Sequence, residues 1–135
     1  MAGDTNCVLV VEDDGLIRLS LVEELEDAGL SVFEASTADE ALQIIEEHPQ
    51  IEVIFTDIDM PGSMDGLKMA TLVRQSRPDM QILLTSGYLK VSKNDLPWKI
   101  PFISKPYEVD RVVSHIRSMT GQRGEGICLG PSFGS

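Results

Sequence analysis

Acidic side chains stand directly after two of the apolar runs in this sequence. Glu12, Asp13 and Asp14 follow the first run, and Asp57 follows the third. Clustered carboxylates repel one another and raise their pKa values, and a hard divalent cation such as Mg²⁺ relieves that repulsion by binding their oxygens. With the cation present, one carboxylate can attack a phosphoryl group and become an acyl phosphate. These residues therefore predict a site for magnesium-dependent phosphoryl transfer.

A hydroxyl and an ammonium group follow two later runs and fit the same chemistry. Ser86, with Gly87 after it, follows the fourth run, and Lys105, with Pro106 after it, follows the fifth. A hydroxyl donor, a lysine charge and the metal can together hold the equatorial oxygens of a phosphoryl group. Asp14 has a simpler interpretation, because an acidic residue at this position favours the start of a helix.

Five short apolar runs predict the strands that would position these groups. They span residues 7–11, 31–35, 53–56, 82–85 and 102–104. The first, third and fourth runs are almost continuously apolar, as expected of strands that are buried on both faces. Segments with helical spacing lie between them, so the pattern predicts a doubly wound α/β fold, a parallel sheet with helices on both faces. Ligands of such sheets bind beyond the carboxyl ends of the strands, where the polar residues named above are placed.

Apolar spacing and capping residues predict four helices. Gly29 can end the first, the capping box Thr37-x-x-Glu40 opens the second, and Asp65 can cap the third. Residues 89–100 show no apolar face, so we expect a loop there with at most a short helix. The predicted apolar faces are Ile17, Leu21, Leu25 and Ala28; Ala41, Ile44 and Ile45; Leu67, Ala70 and Val73; and Val109, Val112, Val113, Ile116 and Met119.

Length and charge narrow the class of protein. The 135 residues suit one domain, predicted at residues 6–120, followed by a Gly-rich flexible tail at 121–135. The net charge of −11 would repel nucleic acid and anionic membranes, so neither is expected as a partner. We expect no signal peptide, and no apolar run approaches the roughly 20 residues of a membrane span. Cys7 and Cys128 lack metal-ligand spacing and are expected to be reduced thiols in a cytoplasmic protein.

Five motifs, in this order along the chain, resemble those of response-regulator receiver domains, the phosphoacceptor modules of two-component signalling. The motifs are Val10-Val11-Glu12-Asp13-Asp14, Thr56-Asp57-Ile58-Asp59-Met60-Pro61-Gly62, Asp65-Gly66, Thr85-Ser86-Gly87-Tyr88 and Lys105-Pro106. Each motif alone is weak, but together they cover about residues 6–120 at spacing near that of the family. The resemblance implies a flavodoxin-like sheet of strand order 2-1-3-4-5 and a receiver of the single-domain type.

The resemblance also implies roles for the residues at the site. Asp57 would accept the phosphoryl group, and Lys105 would pair with a phosphoryl oxygen. Asp13 and Asp57 would bind Mg²⁺ directly and Glu12 through water. The backbone carbonyl of Asp59 would complete the protein ligands.

Two further residues would transmit phosphorylation to the rest of the molecule. Ser86 fills the Thr/Ser position of the family, and Thr85 is the competing choice for that hydroxyl. Phe102, three residues before Lys105, matches the aromatic residue that rotates on activation, although an aromatic residue in a strand also suits the core. The stretch from Ser86 to Lys105 is shorter than usual, so the fourth helix of the family would be short or missing.

Protein partners follow from the same resemblance. A sensor histidine kinase or a histidine phosphotransfer protein would supply the phosphoryl group. The phosphorylated receiver would then bind a downstream target protein or pass the group on. Such a protein is not an enzyme in the usual sense, because it catalyses only its own phosphorylation and dephosphorylation.

Two other functions have weaker support. A haloacid-dehalogenase-type phosphatase would use Asp57 and Asp59 in an Asp-x-Asp motif, but that motif follows the first strand of its core, whereas Asp57 follows the third run here. A receiver-like binding module without phosphotransfer would not need the full set of carboxylate, hydroxyl and lysine residues.

Overall fold

The computed structural model describes residues 7–58, 66–86 and 101–124, which form one five-stranded parallel sheet with helices on both faces. The elements are β1 (Cys7–Val11), α1 (Gly15–Asp27), β2 (Ser31–Ala35), α2 (Ala38–Glu47), β3 (Val53–Asp57), α3 (Gly66–Ser76), β4 (Gln81–Ser86), β5 (Phe102–Ser104) and α4 (Val109–Gly124). The strand order is β2-β1-β3-β4-β5. The doubly wound architecture and the flavodoxin-like order predicted from the sequence are confirmed.

The sheet is buried on both faces. Successive strand residues contribute in turn to two apolar clusters, one on each face. On one face the strands pack against α2 and α3, whose buried residues include Ala41 and Val73. On the other face they pack against α1 and α4, whose buried residues include Leu25 and Ile116. Fully burying one large apolar side chain contributes about 1.5–3 kcal/mol, so the two layers hold the strand ends in fixed positions. The almost continuous apolar runs are explained by this double burial.

Helix α1 begins and ends at the residues that the sequence predicts. The side chain of Asp14 caps the helix by accepting hydrogen bonds from the backbone N–H groups of Leu16 at 3.0 Å and Ile17 at 3.1 Å. Gly29 lies just beyond its end with a φ of 97°, in the left-handed region that favours glycine. The predicted apolar face is buried at Leu25 but not at Ile17, which is 41% exposed.

Helix α2 opens with the predicted capping box. The Thr37 hydroxyl accepts a hydrogen bond from the Glu40 N–H at 3.1 Å. The Glu40 carboxylate reaches back to Ser36 and accepts from its N–H at 2.8 Å and its hydroxyl at 3.0 Å. These two bonds, the one from the backbone N–H foremost, lower the pKa of Glu40. Ala41 and Ile45 are buried as predicted.

Several elements extend further than their apolar patterns indicate. Asp57 and Ser86 are the last residues of β3 and β4, whereas the sequence placed both just after the strands. Helix α4 continues to Gly124 and so includes the first residues of the predicted tail. The rest of that tail, the predicted cap Asp65, and the predicted loop in place of a fourth family helix lie outside the described residues. In the described part of the chain, no helix is long and apolar enough to cross a membrane.

Candidate functional site

The carboxyl ends of β1 and β3 bring three carboxylates together. The two strands are neighbours and Val11 pairs with Thr56, so the next residues along each chain segment lie side by side. Carboxylate oxygens of Glu12, Asp13 and Asp57 all lie within 4.8 Å of one another. Glu12 and Asp57 are only 3% and 4% exposed, whereas Asp13 is exposed. Residues from two separate segments thus form one acidic cluster at the carboxyl ends of the strands.

Lys105 projects into this cluster from the end of β5. Its Nζ donates a hydrogen bond to Oδ2 of Asp57 and lies 3.7 Å from Oε1 of Glu12. Burial lowers the pKa of Lys105, but the hydrogen bond and charge of Asp57, together with the charge of Glu12, raise it more, so the net shift is upward. The ammonium group therefore keeps its charge at neutral pH.

Glu12 is the most tightly enclosed carboxylate of the cluster. Burial raises its pKa, the backbone N–H of Asp14 and the charge of Lys105 lower it, and the charge of Asp57 raises it again, with an upward net shift. Its Oε2 accepts the Asp14 N–H at 3.1 Å, which fixes the direction of the carboxylate. An added positive charge in the cluster would favour the ionised form of Glu12.

The donor set of this cluster suits a hard divalent cation. All three side chains offer carboxylate oxygens, which are the ligands that Mg²⁺ prefers, and one ammonium group cannot balance three carboxylates. The exposed position of Asp13 leaves a solvent side, and Mg²⁺ usually retains several water ligands. Glu12, Asp13 and Asp57 could therefore hold Mg²⁺.

Helix α3 begins in close contact with the backbone of Asp57. The Gly66 N–H donates a hydrogen bond to the carbonyl of Ile58 at 3.1 Å. A Cβ atom at Gly66 would lie 2.1 Å from the carbonyl oxygen of Asp57, far inside van der Waals contact. Only a residue without a side chain permits this approach. The sequence identifies Asp65-Gly66 as a motif, but the contact that requires the glycine joins residues of different elements and becomes visible only in the fold.

Two hydroxyl residues stand at the end of β4. Thr85 pairs with Asp57 on β3, and its carbonyl accepts the N–H of Ile58 at 2.9 Å. Thr85 is 2% exposed, and its Oγ1 has no hydrogen-bond partner within the described residues. Ser86 pairs through its backbone register with Ser104, but its side chain lies outside the described part of the structure. The choice of Ser86 over Thr85 therefore stays a prediction.

The remaining predicted site residues have mixed outcomes. Phe102 is half-buried, pairs with Leu84, and packs against the cluster that α2 and α3 form with the sheet. This position suits a core residue, and its role as a switch stays a prediction. The backbone carbonyl predicted for Asp59 and the small residue Gly87 lie outside the described residues.

A cleft of about 660 Å³ opens beside Lys105, between the start of α1 and the segment that follows β5. Its apolar lining consists of Leu16, Ile17, Leu21, Pro106, Tyr107 and Val109. Leu16 is 81% exposed and Ile17 is 41% exposed, so the mouth of the cleft presents apolar surface to solvent.

Tyr107 forms one wall of this cleft. Its ring meets that of Phe55 edge-on at a centroid distance of 5.6 Å, and burial raises the pKa of its hydroxyl to about 12. Sequence reasoning passed over Tyr107 and Leu16. The available signal for Leu16 was a leucine in the first turn of a helix but outside the predicted apolar face.

Comparison with known proteins gives a consistent result. The family model described as the response regulator receiver domain matches residues 8–117. The response regulator receiver protein CpdR of Brucella abortus (strain 2308) is 33% identical over 115 residues, which cover 83% of this chain and 94% of CpdR. The sensor kinase CckA of the same organism is 32% identical over 116 residues, which cover 83% of this chain but only 12% of CckA.

A solved structure of moderate sequence identity shares the fold. The response regulator TrrA of Thermotoga maritima, in complex with Mg(2+)-BeF, superimposes with a TM-score of 0.77 at 27% identity. The match covers 85% of this chain and 99% of the TrrA chain.

Proposed function

Because this chain belongs to the response regulator receiver domain family of two-component signalling, we propose that Asp57 is the residue on which it accepts a phosphoryl group. The observation that carries this proposal is the contact of the buried Asp57 carboxylate with Lys105, inside a cluster that also contains Glu12 and Asp13. An ordinary structural ion pair would not need two further carboxylates within 4.8 Å.

The proposed donor is a phosphohistidine on a sensor histidine kinase or a histidine phosphotransfer protein. A carboxylate oxygen of Asp57 attacks phosphorus, the P–N bond to the imidazole breaks, and the imidazole leaves with the bonding electron pair. The product is an acyl phosphate on Asp57. The chain would then catalyse only its own phosphorylation and the later hydrolysis, and the phosphorylated form would bind a downstream target or pass the group on.

The acidic cluster would bind the metal that this transfer needs. Mg²⁺, when bound, would stabilise the negative charge on the transferring phosphoryl oxygens. Asp13 and Asp57 suit direct coordination, and Glu12, whose carboxylate already accepts the Asp14 N–H, suits contact through water. We also include the backbone carbonyl of Asp59, on the basis of the family motif.

Lys105 would orient the acceptor first and bind the product afterwards. It now donates to Asp57 Oδ2, and this hydrogen bond fixes the direction of the carboxylate. After transfer, the same ammonium group can pair with a phosphoryl oxygen. Ser86 would donate its hydroxyl to another oxygen, and Phe102 would rotate as the end of β4 moves.

The cleft beside Lys105 offers a docking surface for the phosphoryl donor. Its exposed residues Leu16 and Ile17 lie on the first turns of α1, which starts directly after the acidic cluster. A donor histidine must come close to Asp57, so a partner that covers this apolar mouth would bury it at the moment of transfer. We propose a partner helix that carries the phosphohistidine beside an apolar face.

Variants of the cleft separate docking from chemistry. Leu16→Ser should slow phosphotransfer from a phosphohistidine protein while leaving phosphorylation by acetyl phosphate unchanged, because the small donor needs no docking surface. Leu72→Ser is the matched control, since Leu72 is also an exposed leucine, 38% exposed, but lies on α3. Equal rates for Leu16→Ser and the parent protein with both donors would exclude this docking site.

Intact mass spectrometry tests the proposed function. With Mg²⁺ and acetyl phosphate, the parent protein should gain one phosphoryl group, whereas Asp57→Asn should gain none. Release of inorganic phosphate in many turnovers from a phosphomonoester would instead support a phosphatase that uses Asp57 and Asp59. The family comparison does not favour that alternative.

A further inference from the structure

We propose that Arg18 is a positioning residue for the acidic loop, residues 12–14, and that its guanidinium group thereby sets the affinity of the site for Mg²⁺. The inference rests on the metal site of the proposed function. It adds Arg18, a residue of α1 that binds the backbone carbonyl of Glu12 and lies outside the proposed set of metal ligands.

The guanidinium group of Arg18 joins the acidic loop to β2. Its Nη1 donates to the backbone carbonyl of Glu12 at 2.8 Å, and its Nε donates to Oε1 of Glu34 at 2.9 Å. The Arg18 side chain is 23% exposed and that of Glu34 is 49% exposed, so the bridge is more sheltered from solvent at Arg18 than at Glu34.

The backbone of Glu12 is consequently held from two directions. Its N–H donates to the carbonyl of Ala35 on β2 at 3.1 Å, and its carbonyl accepts from Arg18. Two residues further on, Asp14 is fixed as the N-cap of α1. Asp13 lies between these two anchored residues, so the direction of its carboxylate depends on both.

Only arginine can make both contacts from this position. The planar guanidinium presents several N–H donors in a fixed fork, so one group can bind the Glu12 carbonyl and the Glu34 carboxylate at once. Lysine would place one ammonium group between the same partners without fixing the angle between them. A merely electrostatic role for Arg18 would be shared by lysine, whereas a positioning role would not.

Because Arg18 is positively charged, an electrostatic role and a positioning role predict opposite changes in Mg²⁺ affinity when it is replaced. Removing a positive charge near three carboxylates should by Coulomb's law tighten Mg²⁺ binding. Releasing the Glu12 carbonyl should instead weaken binding, because the loop must then be ordered when the metal binds. We therefore expect Arg18→Gln to weaken Mg²⁺ binding by roughly tenfold, the lower end of the effect of outer contacts on metal affinity.

Calorimetric titration of the parent protein and its variants with Mg²⁺ tests this inference without any phosphorylation. Arg18→Lys should recover less than half of the lost binding free energy. Arg117→Gln is the matched control, because Arg117 also donates to a backbone carbonyl, that of Ala28, but at the opposite end of α1. Its Mg²⁺ affinity should equal that of the parent protein.

Two results would overturn the positioning role. One is Mg²⁺ binding by folded Arg18→Gln that is equal to or tighter than that of the parent protein. The other is full recovery in Arg18→Lys. If Arg18→Gln does not fold, Arg18→Lys and Glu34→Gln carry the test, and parental affinity in both variants would reject the inference. Failure of Asp57 to accept a phosphoryl group would contradict the proposed function separately, since these titrations do not involve phosphorylation.

Discussion

At the amino ends of the strands, the amino edge of the sheet, the Arg77 side chain binds backbone carbonyls. At the carboxyl ends of the strands, the carboxyl edge, buried carboxylates face one another. Arg77 donates through Nη2 to the carbonyls of Pro49 at 3.2 Å and Ile51 at 3.1 Å, just before β3. At the opposite edge, Glu12 and Asp57 share Lys105 and remain in excess over it.

The difference shows where the fold gives up stability for function. Hydrogen bonds from a charged donor to backbone carbonyls contribute about 1.5–3 kcal/mol each, so Arg77 stabilises the fold at the amino edge. Carboxylates held together in a partly buried cluster repel one another until a cation joins them. The carboxyl edge is thus arranged for a ligand and the amino edge for closure of the fold.

The largest expected effect concerns the close contact of α3 at the carboxyl edge. Gly66→Ala should destabilise the protein by about 3 kcal/mol, because the added Cβ would collide with the Asp57 carbonyl and displace the strand end or the helix. Gly15→Ala at the same edge is the control, since its Cβ would lie 3.9 Å from Arg18. Urea unfolding should show a loss for Gly66→Ala only, and equal stability of both variants would reject the contact.

The next largest effect should distinguish the roles of Asp13 and Asp14 in Mg²⁺ binding. Asp13→Asn should weaken Mg²⁺ binding by about tenfold or more, because it removes a charged ligand. Asp14→Asn should have little effect, because asparagine caps a helix as well as aspartate does. Titration by NMR or calorimetry measures both, and equal losses would show that Asp13 is not a ligand.

A change at the amino edge should affect stability alone. Arg77→Met keeps much of the aliphatic side chain but leaves the carbonyls of Pro49 and Ile51 without their donor, at a cost of about 2 kcal/mol. Mg²⁺ affinity and phosphorylation of the folded protein should be unchanged. Chemical denaturation measures the loss of stability, and Mg²⁺ titration of the same sample measures the affinity. Weaker Mg²⁺ binding by Arg77→Met would contradict the separation of the two edges.

Lys105→Ala should change the affinity for Mg²⁺ less than Asp13→Asn does, and in the opposite direction. Lys105→Ala removes a positive charge beside Glu12 and Asp57, so Mg²⁺ should bind with equal or up to about threefold higher affinity. The conformational response to phosphorylation should be lost, because no cation from β5 then reaches the phosphoryl group. NMR spectra with and without beryllofluoride test this, and spectral changes like those of the parent protein would contradict the role.

The smallest effect belongs to Glu40, a carboxylate at the same edge that accepts its hydrogen bonds from Ser36. Its pKa is lowered from 4.5 by the Ser36 hydrogen bonds, so the folded state binds its proton less tightly than the unfolded state. The resulting stability is present above about pH 4.5 and is lost as the pH falls through the lowered pKa. Glu40→Gln should therefore cost less than about 1 kcal/mol at pH 7 and nothing at the acid end. A loss of stability in Glu40→Gln that does not change with pH would show that the variant disturbs the geometry of the capping box and not the ionisation of Glu40.

Local signals in the sequence were sufficient for most of the fold. Continuous apolar runs identified the strands, and the capping box at Thr37 and the glycine at position 29 marked helix ends, because these features act over a few residues. The acidic residues were identified by their places after the apolar runs, whereas the strand order and the role of each site residue followed from the family resemblance. The clustering of those residues then followed from strand topology.

Contacts between distant segments were beyond the sequence. The Arg18 bridge and the approach of Gly66 to Asp57 join separate elements at distances that no periodicity encodes. The exposure of Ile17 was also missed, because helical spacing indicates a face but not where the sheet beneath it ends. The predicted loop at residues 89–100 lies outside the described residues and stays a prediction.

Chemical mapping of the phosphorylated residue is a direct test of whether Asp57 is the phosphoacceptor. The protein is phosphorylated with Mg²⁺ and acetyl phosphate, the acyl phosphate is reduced with borohydride, and the digested protein is sequenced by mass spectrometry. Reduction converts a phosphorylated aspartate to homoserine, so we expect homoserine at position 57 and unmodified residues at positions 13 and 14. Homoserine at either of those positions, or no reduction product in a protein that binds Mg²⁺, would contradict the assignment of Asp57 as the phosphoacceptor.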